Sequence, residues 1–152
     1  MQTIYIREGT FTELFSDPAF EMMAAAYASE SGTAEYGKEC VDKATYLEAE
    51  QEGEASLLVA ESCDCIVGIA VIVRGYHLHF SKHVAILETL YLDPAFRRGF
   101  AGIKLVRAAQ KLAKERGYEL MTMSAPYGSR LNKLFERMGR PTDIDYIVKL
   151  GG

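Results

Sequence analysis

Residues 86–117 carry the clearest chemical signal in this sequence, because they place a short basic turn directly before a helix. An apolar stretch precedes Asp93 and Pro94, the turn at residues 97–102 follows, and an amphipathic pattern continues to Gly117. The first backbone N–H groups of a helix have no acceptor within the helix, and the helix dipole adds partial positive charge there. The pattern therefore predicts an anion site at the turn, and we expect the anion to be a diphosphate.

The first third of the chain is expected to form one strand and then helices. Alternating and β-branched residues predict a strand at residues 3–6. Asp17 and Pro18 predict a helix start, with the aspartate as N-cap and the proline at the first helical position. Apolar residues at helical spacing predict a further helix that ends near Gly53.

Strands are predicted for the middle of the chain. Residues 55–61 and 65–74 are expected to form an antiparallel hairpin around Cys63 and Asp64. The stretch at residues 84–92 is mostly apolar, which favours a central strand.

The second half is expected to contain one strand–helix–strand crossover. The helix that follows Gly102 should end at Gly117, and a parallel strand should follow at residues 119–124. Ser129 is a good N-cap for a last helix, and residues 144–150 predict a closing strand. This order predicts a single α+β domain over residues 1–152.

Composition narrows the possible partners. The chain has 17 Lys and Arg residues against 21 Asp and Glu residues, and its net charge of −4 argues against nucleic acid as a partner. Three cysteines, Cys40, Cys63 and Cys65, make no disulfide framework, so reduced thiols and a cytoplasmic setting are expected. No signal peptide is predicted, and no apolar run approaches the roughly 20 residues of a membrane helix.

The turn and the last helix resemble motifs of the GNAT superfamily of acyl-CoA-dependent N-acetyltransferases. In that family a strand and a β-bulge precede the pattern R/Q-x-x-G-x-G/A, which opens a helix. Arg97 matches the first position and Gly102 the last, while Phe100 stands where the first glycine is usual. The sequence LFERMG at residues 134–139 is similar to the family's last-helix motif, with Phe135 in place of a tyrosine.

The resemblance implies a mixed, mostly antiparallel central sheet that is flanked by helices and splayed between the two parallel central strands. It also implies acetyl-CoA as co-substrate, with no metal. The diphosphate would lie at the turn, and the pantetheine arm would lie in the gap of the sheet. The residues implied in cofactor binding are Leu90, Tyr91, Leu92, Arg97, Arg98, Gly99, Phe100, Ala101, Gly102, Ile103 and Phe135.

The implied reaction is direct acetyl transfer to a primary amine of a small molecule or protein. An alkylammonium has a pKa near 10.4, so a base or a desolvating site must remove its proton. Glu88 interrupts an apolar strand just before the implied thioester position, which makes it the candidate base, and the N–H of Leu90 is the candidate oxyanion donor. Because Phe135 replaces the family's usual acid, Tyr127 is the candidate general acid, with Tyr91 as an alternative. The thiolate is also a tolerable leaving group without an acid.

Several alternatives stay open at this point. Glu88 also fits a solvated strand residue, and the two phenylalanines that depart from the motifs also fit a non-catalytic acyl-CoA-binding domain. A toxin-like acetylase of charged tRNA is disfavoured by the acidic composition. His77, His79 and His83 suit either a metal, an alternative base or exposed positions.

The acceptor is the least defined part of the implied reaction. In the family its pocket is built from the N-terminal helices and the connection between the third and fourth strands. The acidic and aromatic residues there suit a cationic amine; they are Glu30, Glu35, Tyr36, Glu39 and Tyr76. A homodimer is a further possibility that the resemblance implies.

Overall fold

The structure, a computed structural model, describes residues 2–31 and 34–151. Across these described residues, five strands and five α-helices follow one another in nearly the predicted order. They are β1 (Tyr5–Gly9), α1 (Phe11–Ser16), α2 (Phe20–Glu30), α3 (Lys43–Gln51), β2 (Ala55–Ser62), β3 (Cys65–His77), β4 (Lys82–Leu92), α4 (Ala101–Glu115), β5 (Met121–Met123) and α5 (Arg130–Met138). Short 3₁₀ turns lie at Ala34–Tyr36 and Pro94–Phe96. Within the described ranges, no helix is long and apolar enough to cross a membrane.

The five strands form one sheet in the order β1-β2-β3-β4-β5. The first four are antiparallel neighbours, whereas β4 and β5 are parallel. The β4–β5 pairs run only from Ala85–Met121 to Leu87–Met123, so β4 continues beyond the end of this pairing to Leu92. The predicted mixed sheet, splayed between its parallel strands, is therefore confirmed.

The two hairpins differ in their turns. Cys63 and Asp64 join β2 to β3 with φ angles of 49° and 60°, the left-handed backbone that a two-residue type I′ turn requires. The predicted β2–β3 turn is thus confirmed. The β3–β4 hairpin is longer than predicted, because pairing extends to His77 and Lys82.

A β-bulge interrupts the pairing of β3 with β4 at Glu88. Val71 pairs with Thr89 and Ile72 pairs with Leu87, so Glu88 is the extra residue between two matched pairs. A bulge bends a strand and redirects the side chain of the extra residue. The bulge therefore explains why Glu88, in an otherwise mostly buried strand, is exposed.

Each face of the sheet buries its own hydrophobic cluster. Helices α1 to α3 cover one face, where Phe11, Leu14 and Phe20 pack with Val71 and Tyr91. Helix α4 covers the other face, and its apolar stripe is buried as predicted from sequence. That stripe consists of Leu105, Val106, Ala109, Leu112 and Ala113.

The predicted helix start at Asp17 and Pro18 is wrong. Asp17 follows the short helix α1, and its carboxylate accepts a 2.8 Å hydrogen bond from the N–H of Ala19, so α2 begins at Phe20. Helix α1 was not predicted. Thr10 caps it by accepting from the N–H of Glu13, and the burial of Phe11 and Leu14 against the sheet stabilises a helix too short to be stable alone.

The predicted closing strand at residues 144–150 is also wrong. In the described chain these residues pair with no strand, and Leu150 keeps 94% of its surface exposed. Alternation shows which side chains could face a core, but a strand also needs a neighbouring backbone to pair with. Strand β5, the edge strand on this side, has only three residues.

Candidate active site

Two cavities meet at Glu88. One, of about 860 Å³, lies between the end of β4, the turn before α4 and the start of α5. The other, of about 600 Å³, lies between helices α1 to α3 and the sheet. Four residues line both cavities: Tyr27, Ser31, Glu88 and Tyr91. The larger cavity is called the groove below, and the smaller one is called the chamber.

The turn before α4 borders the groove, with Gly99, Gly102 and Ile103 in its lining. Phe100 is the N-cap of α4, and its side chain makes no capping hydrogen bond. Gly99 has a φ of +93°, and a Cβ atom built on Gly99 or Gly102 would meet nothing within 4 Å. Free N–H groups beside open space suit the oxygens of a diphosphate, so the residues present fit the diphosphate of coenzyme A.

The splay of the sheet opens the middle of the groove. Leu90 and Leu92 line one side, beyond the point where β5 stops pairing, and residues 124–126 line the other. A gap between two diverging parallel strands offers backbone groups to an extended, amide-bearing arm such as pantetheine.

The structure brings seven of the eleven predicted cofactor residues to the groove. These are Leu90, Tyr91, Leu92, Arg97, Gly99, Gly102 and Ile103. Arg98, Phe100, Ala101 and Phe135 lie outside its lining. Phe100 is 73% exposed, and Phe135 packs instead against the hydrophobic cluster under α4. Leu131 and Leu134 of α5 line the groove where Phe135 was expected.

The guanidinium of Arg97 is held by protein groups. Its Nε donates to the carbonyl of Leu92 at 2.7 Å, and one terminal nitrogen donates to both carboxylate oxygens of Glu30 at 2.9 and 2.7 Å. The guanidinium carbon also lies 5.6 Å from the centroid of the Tyr91 ring. Arg97 therefore ties the turn to the end of α2 and to β4, which the sequence did not indicate.

Hydroxyl groups hold the carboxylate of Glu88 in place. Tyr46 donates to Oε1 at 2.7 Å, and Thr89 donates to Oε2 at 2.6 Å. The hydroxyl of Tyr27 lies 3.4 Å from the carbonyl oxygen of Glu88 and donates to it. These contacts fix an exposed carboxylate at the junction of the two cavities.

The two tyrosines beside Glu88 stay protonated. Burial, followed by the hydrogen bond to Glu88 and its negative charge, raises the pKa of Tyr46 well above its ordinary range. Burial and the charge of Glu88 also raise the pKa of Tyr27. Since both groups remain neutral, they act as hydrogen-bond donors to Glu88 at physiological pH.

The candidate acids lie apart from this network. Tyr127 is 85% exposed on the loop before α5 and lines neither cavity. Tyr91 lines both cavities, and burial, with the nearby charges of Asp93 and Glu30, raises its pKa. The general-acid role of Tyr127 stays a prediction that the geometry does not support.

Only some of the residues expected around the acceptor line a cavity. Glu39 lines the chamber, whereas Glu30 lines the groove and binds Arg97. Glu35, Tyr36 and Tyr76 lie outside both linings.

The histidines cluster at the tip of the β3–β4 hairpin. His77 ends β3, His79 lies in the turn, and His83 pairs with Tyr76. The rings of His77 and His79 are 6.0 Å apart. None of the three lines the groove or the chamber. Across the described residues, no group of three or more His, Cys, Asp or Glu side chains could hold a metal.

The sequence reasoning missed the partners of Glu88. Tyr27 and Tyr46 belong to helices 61 and 42 residues away from it. A tyrosine on a buried helix face signals that its hydroxyl needs a partner, but the sequence does not say which one.

Comparison with known proteins points to one family. A family model for the acetyltransferase (GNAT) family matches residues 13–139. No curated protein matches the chain.

Solved structures share the fold at low identity. A ribosomal-protein-alanine N-acetyltransferase from Brucella melitensis is 17% identical over 98% of this chain and 100% of its own, with a TM-score of 0.70. An aminoglycoside acetyltransferase from an uncultured soil sample is 14% identical over 99% of both chains, with a TM-score of 0.73. A predicted acetyltransferase with acetyl-CoA from Clostridium acetobutylicum is 14% identical over 98% of this chain and 96% of its own, with a TM-score of 0.68.

Identities at this level establish the fold and leave the substrate open. The family match covers most of the chain, and the splayed sheet, the bulge at Glu88 and the open turn before α4 agree with it. The chain therefore belongs to the acetyltransferase (GNAT) family.

Proposed function

We propose that this chain, as a single domain over residues 1–152, is an acetyl-CoA-dependent N-acetyltransferase. It moves the acetyl group directly to a primary amine of a small molecule or protein. The observation that carries this proposal is the position of Glu88, whose carboxylate lies where the groove and the chamber meet. A co-substrate in the groove and an amine in the chamber would approach each other at this residue.

The groove serves as the coenzyme site in this proposal. Acetyl-CoA, when bound, supplies an acetyl group activated as a thioester. The N–H groups of the turn at residues 98–103 would hold its diphosphate, and residues 90–92 would hold its pantetheine arm along the splayed strand. The N–H of Leu90 would stabilise the oxyanion at the reacting carbonyl.

Glu88 acts as the base in this proposal. Its carboxylate accepts one proton from the acceptor ammonium, directly or through a water molecule, and the neutral amine forms the C–N bond as the thioester C–S bond breaks. The second proton of the attacking nitrogen goes to the departing thiolate. Tyr46 and Thr89, which donate to the two carboxylate oxygens, act as positioning residues for Glu88.

We also propose a location in the cell from the state of the cysteines. The three cysteines, all free and exposed, support a cytoplasmic location, where thiols stay reduced. The predicted homodimer stays a prediction.

The test compares Glu88→Gln with the wild-type protein in two assays. Calorimetry measures acetyl-CoA affinity, and thiol release measures turnover on an amine panel. We expect unchanged affinity and a fall in kcat/KM of about a hundredfold or more, the size of a general-base contribution. Glu35→Gln, the same change at an exposed carboxyl, is the control and should alter neither value. Full activity in Glu88→Gln would overturn the role of Glu88.

A second candidate function is a non-catalytic acyl-CoA-binding domain. The exposed position of Tyr127 and the phenylalanine at position 135 favour it, because neither supplies a hydroxyl near Glu88. This alternative predicts acetyl-CoA binding without amine-dependent thiol release from the wild-type protein. Amine-dependent release would exclude it.

A further inference from the structure

The chamber next to Glu88 is walled mainly by aromatic and aliphatic side chains. Phe11, Phe15, Phe20, Tyr27 and Tyr46 all line it. The rings of Phe11 and Tyr46 stack at 5.2 Å between centroids, and those of Phe15 and Phe20 meet edge to face at 5.1 Å. Such walls favour an apolar, ring-sized body.

The hydroxyl groups around Glu88 form a polar end of this chamber. Tyr46 and Thr89 contact the carboxylate of Glu88, and Tyr27 contacts its backbone carbonyl. An ammonium group bound at this end would face a carboxylate, while the rest of its molecule would lie along the rings.

Charge at the chamber further limits the ligand. Four of the five charged residues that line it are acidic: Glu39, Asp42, Glu54 and Glu88. The fifth, Arg74, has its Nε 3.3 Å from the hydroxyl of Tyr118, which packs with the hydrophobic cluster on the opposite face of the sheet. A carboxylate on the ligand would therefore meet mainly negative charge among the lining residues.

We infer that the acceptor is an arylalkylamine-type compound, meaning a primary amine on an aromatic body without a carboxylate. This inference rests on the proposed function and adds the substrate class. Polyamines fit less well because they have no ring to contact the aromatic walls, and aminoglycosides fit less well because hydroxyl groups placed against the rings would be unsatisfied. Amino acids fit poorly because of their carboxylate.

The test is a thiol-release panel with matched probes on the wild-type protein. 2-Phenylethylamine is compared with phenylalanine, which adds only the carboxylate, and with propylamine, which lacks the ring; spermidine and kanamycin represent polycations. We expect kcat/KM for 2-phenylethylamine to exceed each of the others by about tenfold or more, the scale of discrimination by apolar pockets and unpaired polar groups. A preference for spermidine, kanamycin or phenylalanine would overturn the substrate class while leaving the N-acetyltransferase function intact.

Binding measurements distinguish a wrong substrate class from a wrong proposed N-acetyltransferase function. If no probe releases thiol, calorimetry of the protein with 2-phenylethylamine and with spermidine still tests the chamber. Tighter binding of 2-phenylethylamine supports the class, and tighter binding of spermidine contradicts it.

Substitutions at two neighbouring alanines of α2 test whether the acceptor binds in the chamber. Ala24 lines the chamber, whereas the adjacent Ala25 is exposed. Ala24→Leu should fill part of the chamber and raise KM for 2-phenylethylamine about tenfold, with little change for propylamine or acetyl-CoA. Ala25→Leu should change none of these values. An unchanged KM for 2-phenylethylamine in a folded Ala24→Leu protein would show that the chamber is not the acceptor site, and the wild-type panel decides the substrate class if that variant does not fold.

Discussion

The hydroxyl of Tyr46 donates a 2.7 Å hydrogen bond to Oε1 of Glu88, and this contact joins α3 to the bulge in β4. Because Thr89 binds the other carboxylate oxygen, the orientation of Glu88 depends on both a neighbouring residue and a distant helix. Loss of this contact should therefore affect both the stability of the fold and the position of the proposed base.

Tyr46→Phe should destabilise the protein in a pH-dependent way. Its hydroxyl binds a carboxylate but is only partly buried, so we expect the free energy of unfolding at pH 8 to fall by about 1 kcal/mol. The pKa of Tyr46 is raised from its ordinary value of 10.0, so its stabilising effect is complete below pH 10. The effect is lost as the pH rises further, because only the unfolded chain then releases the proton.

Urea unfolding of both proteins at several pH values between 8 and 11 checks this prediction. The difference in free energy between wild type and Tyr46→Phe should be largest at pH 8 and should narrow above pH 10. Tyr36→Phe, at a side chain that is 77% exposed, should show no such trend. A difference that grows above pH 10 would contradict the assigned hydrogen bond.

Gly102→Ala should raise stability and weaken acetyl-CoA binding. Gly102 lies in the first turn of α4, where alanine favours the helix by about 0.5–1 kcal/mol relative to glycine, and an added Cβ meets no atom of the protein. The same methyl group would occupy the space proposed for the diphosphate. We expect a higher midpoint of thermal unfolding and a Kd for acetyl-CoA that rises about tenfold.

Gly117→Ala, just beyond the C-terminal end of α4, is the control, and its expected effect on stability is the opposite. Gly117 has a φ of +91°, so alanine there should reduce the free energy of unfolding by about 1 kcal/mol and leave the Kd unchanged. If Gly102→Ala bound acetyl-CoA as well as wild type does, the diphosphate would not lie at this turn.

Arg97→Ala should destabilise the fold more than Arg98→Ala. Arg97 binds Glu30 and the carbonyl of Leu92 and lies beside the ring of Tyr91, so we expect a loss of about 1–2 kcal/mol. Replacing its exposed neighbour Arg98 by alanine should lower the free energy of unfolding by less than about 0.5 kcal/mol.

Urea unfolding at neutral pH measures the stability of both arginine variants. Glu30→Gln should lower the free energy of unfolding by less than Arg97→Ala does, because it removes only one of the contacts of Arg97. Equal stability of the two alanine variants would show that Arg97 does not brace the turn in solution.

Removal of residues 143–152 should leave stability nearly unchanged. Residues 143–151 are exposed throughout and belong to no helix or strand, so we expect the free energy of unfolding to change by less than about 0.5 kcal/mol. Chemical unfolding of the shortened protein checks this. A loss of several kcal/mol would show that the tail pairs as the strand that the sequence pattern predicted.

Local patterns were sufficient where neighbours in sequence decide the structure. The apolar stripe of α4 was predicted because residues three and four apart share one helix face. The β2–β3 turn at Cys63 and Asp64 followed from a short break between two predicted strands. The same local reasoning failed for Asp17 and for residues 144–150, since a buried helix α1 and a missing strand partner are properties of the whole fold.

The sequence by itself determined the order of the elements from β2 to α5, the turn that opens α4 and the presence of Glu88 in an apolar strand. Only the tertiary structure decided that Glu88 is the extra residue of a bulge, that Tyr46 and Tyr27 reach it, and that Arg97 is occupied by Glu30. The physical reason is the distance along the sequence over which each interaction acts. Periodicity and capping act over a few residues, whereas these contacts join groups from 42 to 67 residues apart, which only packing of the helices against the sheet brings together.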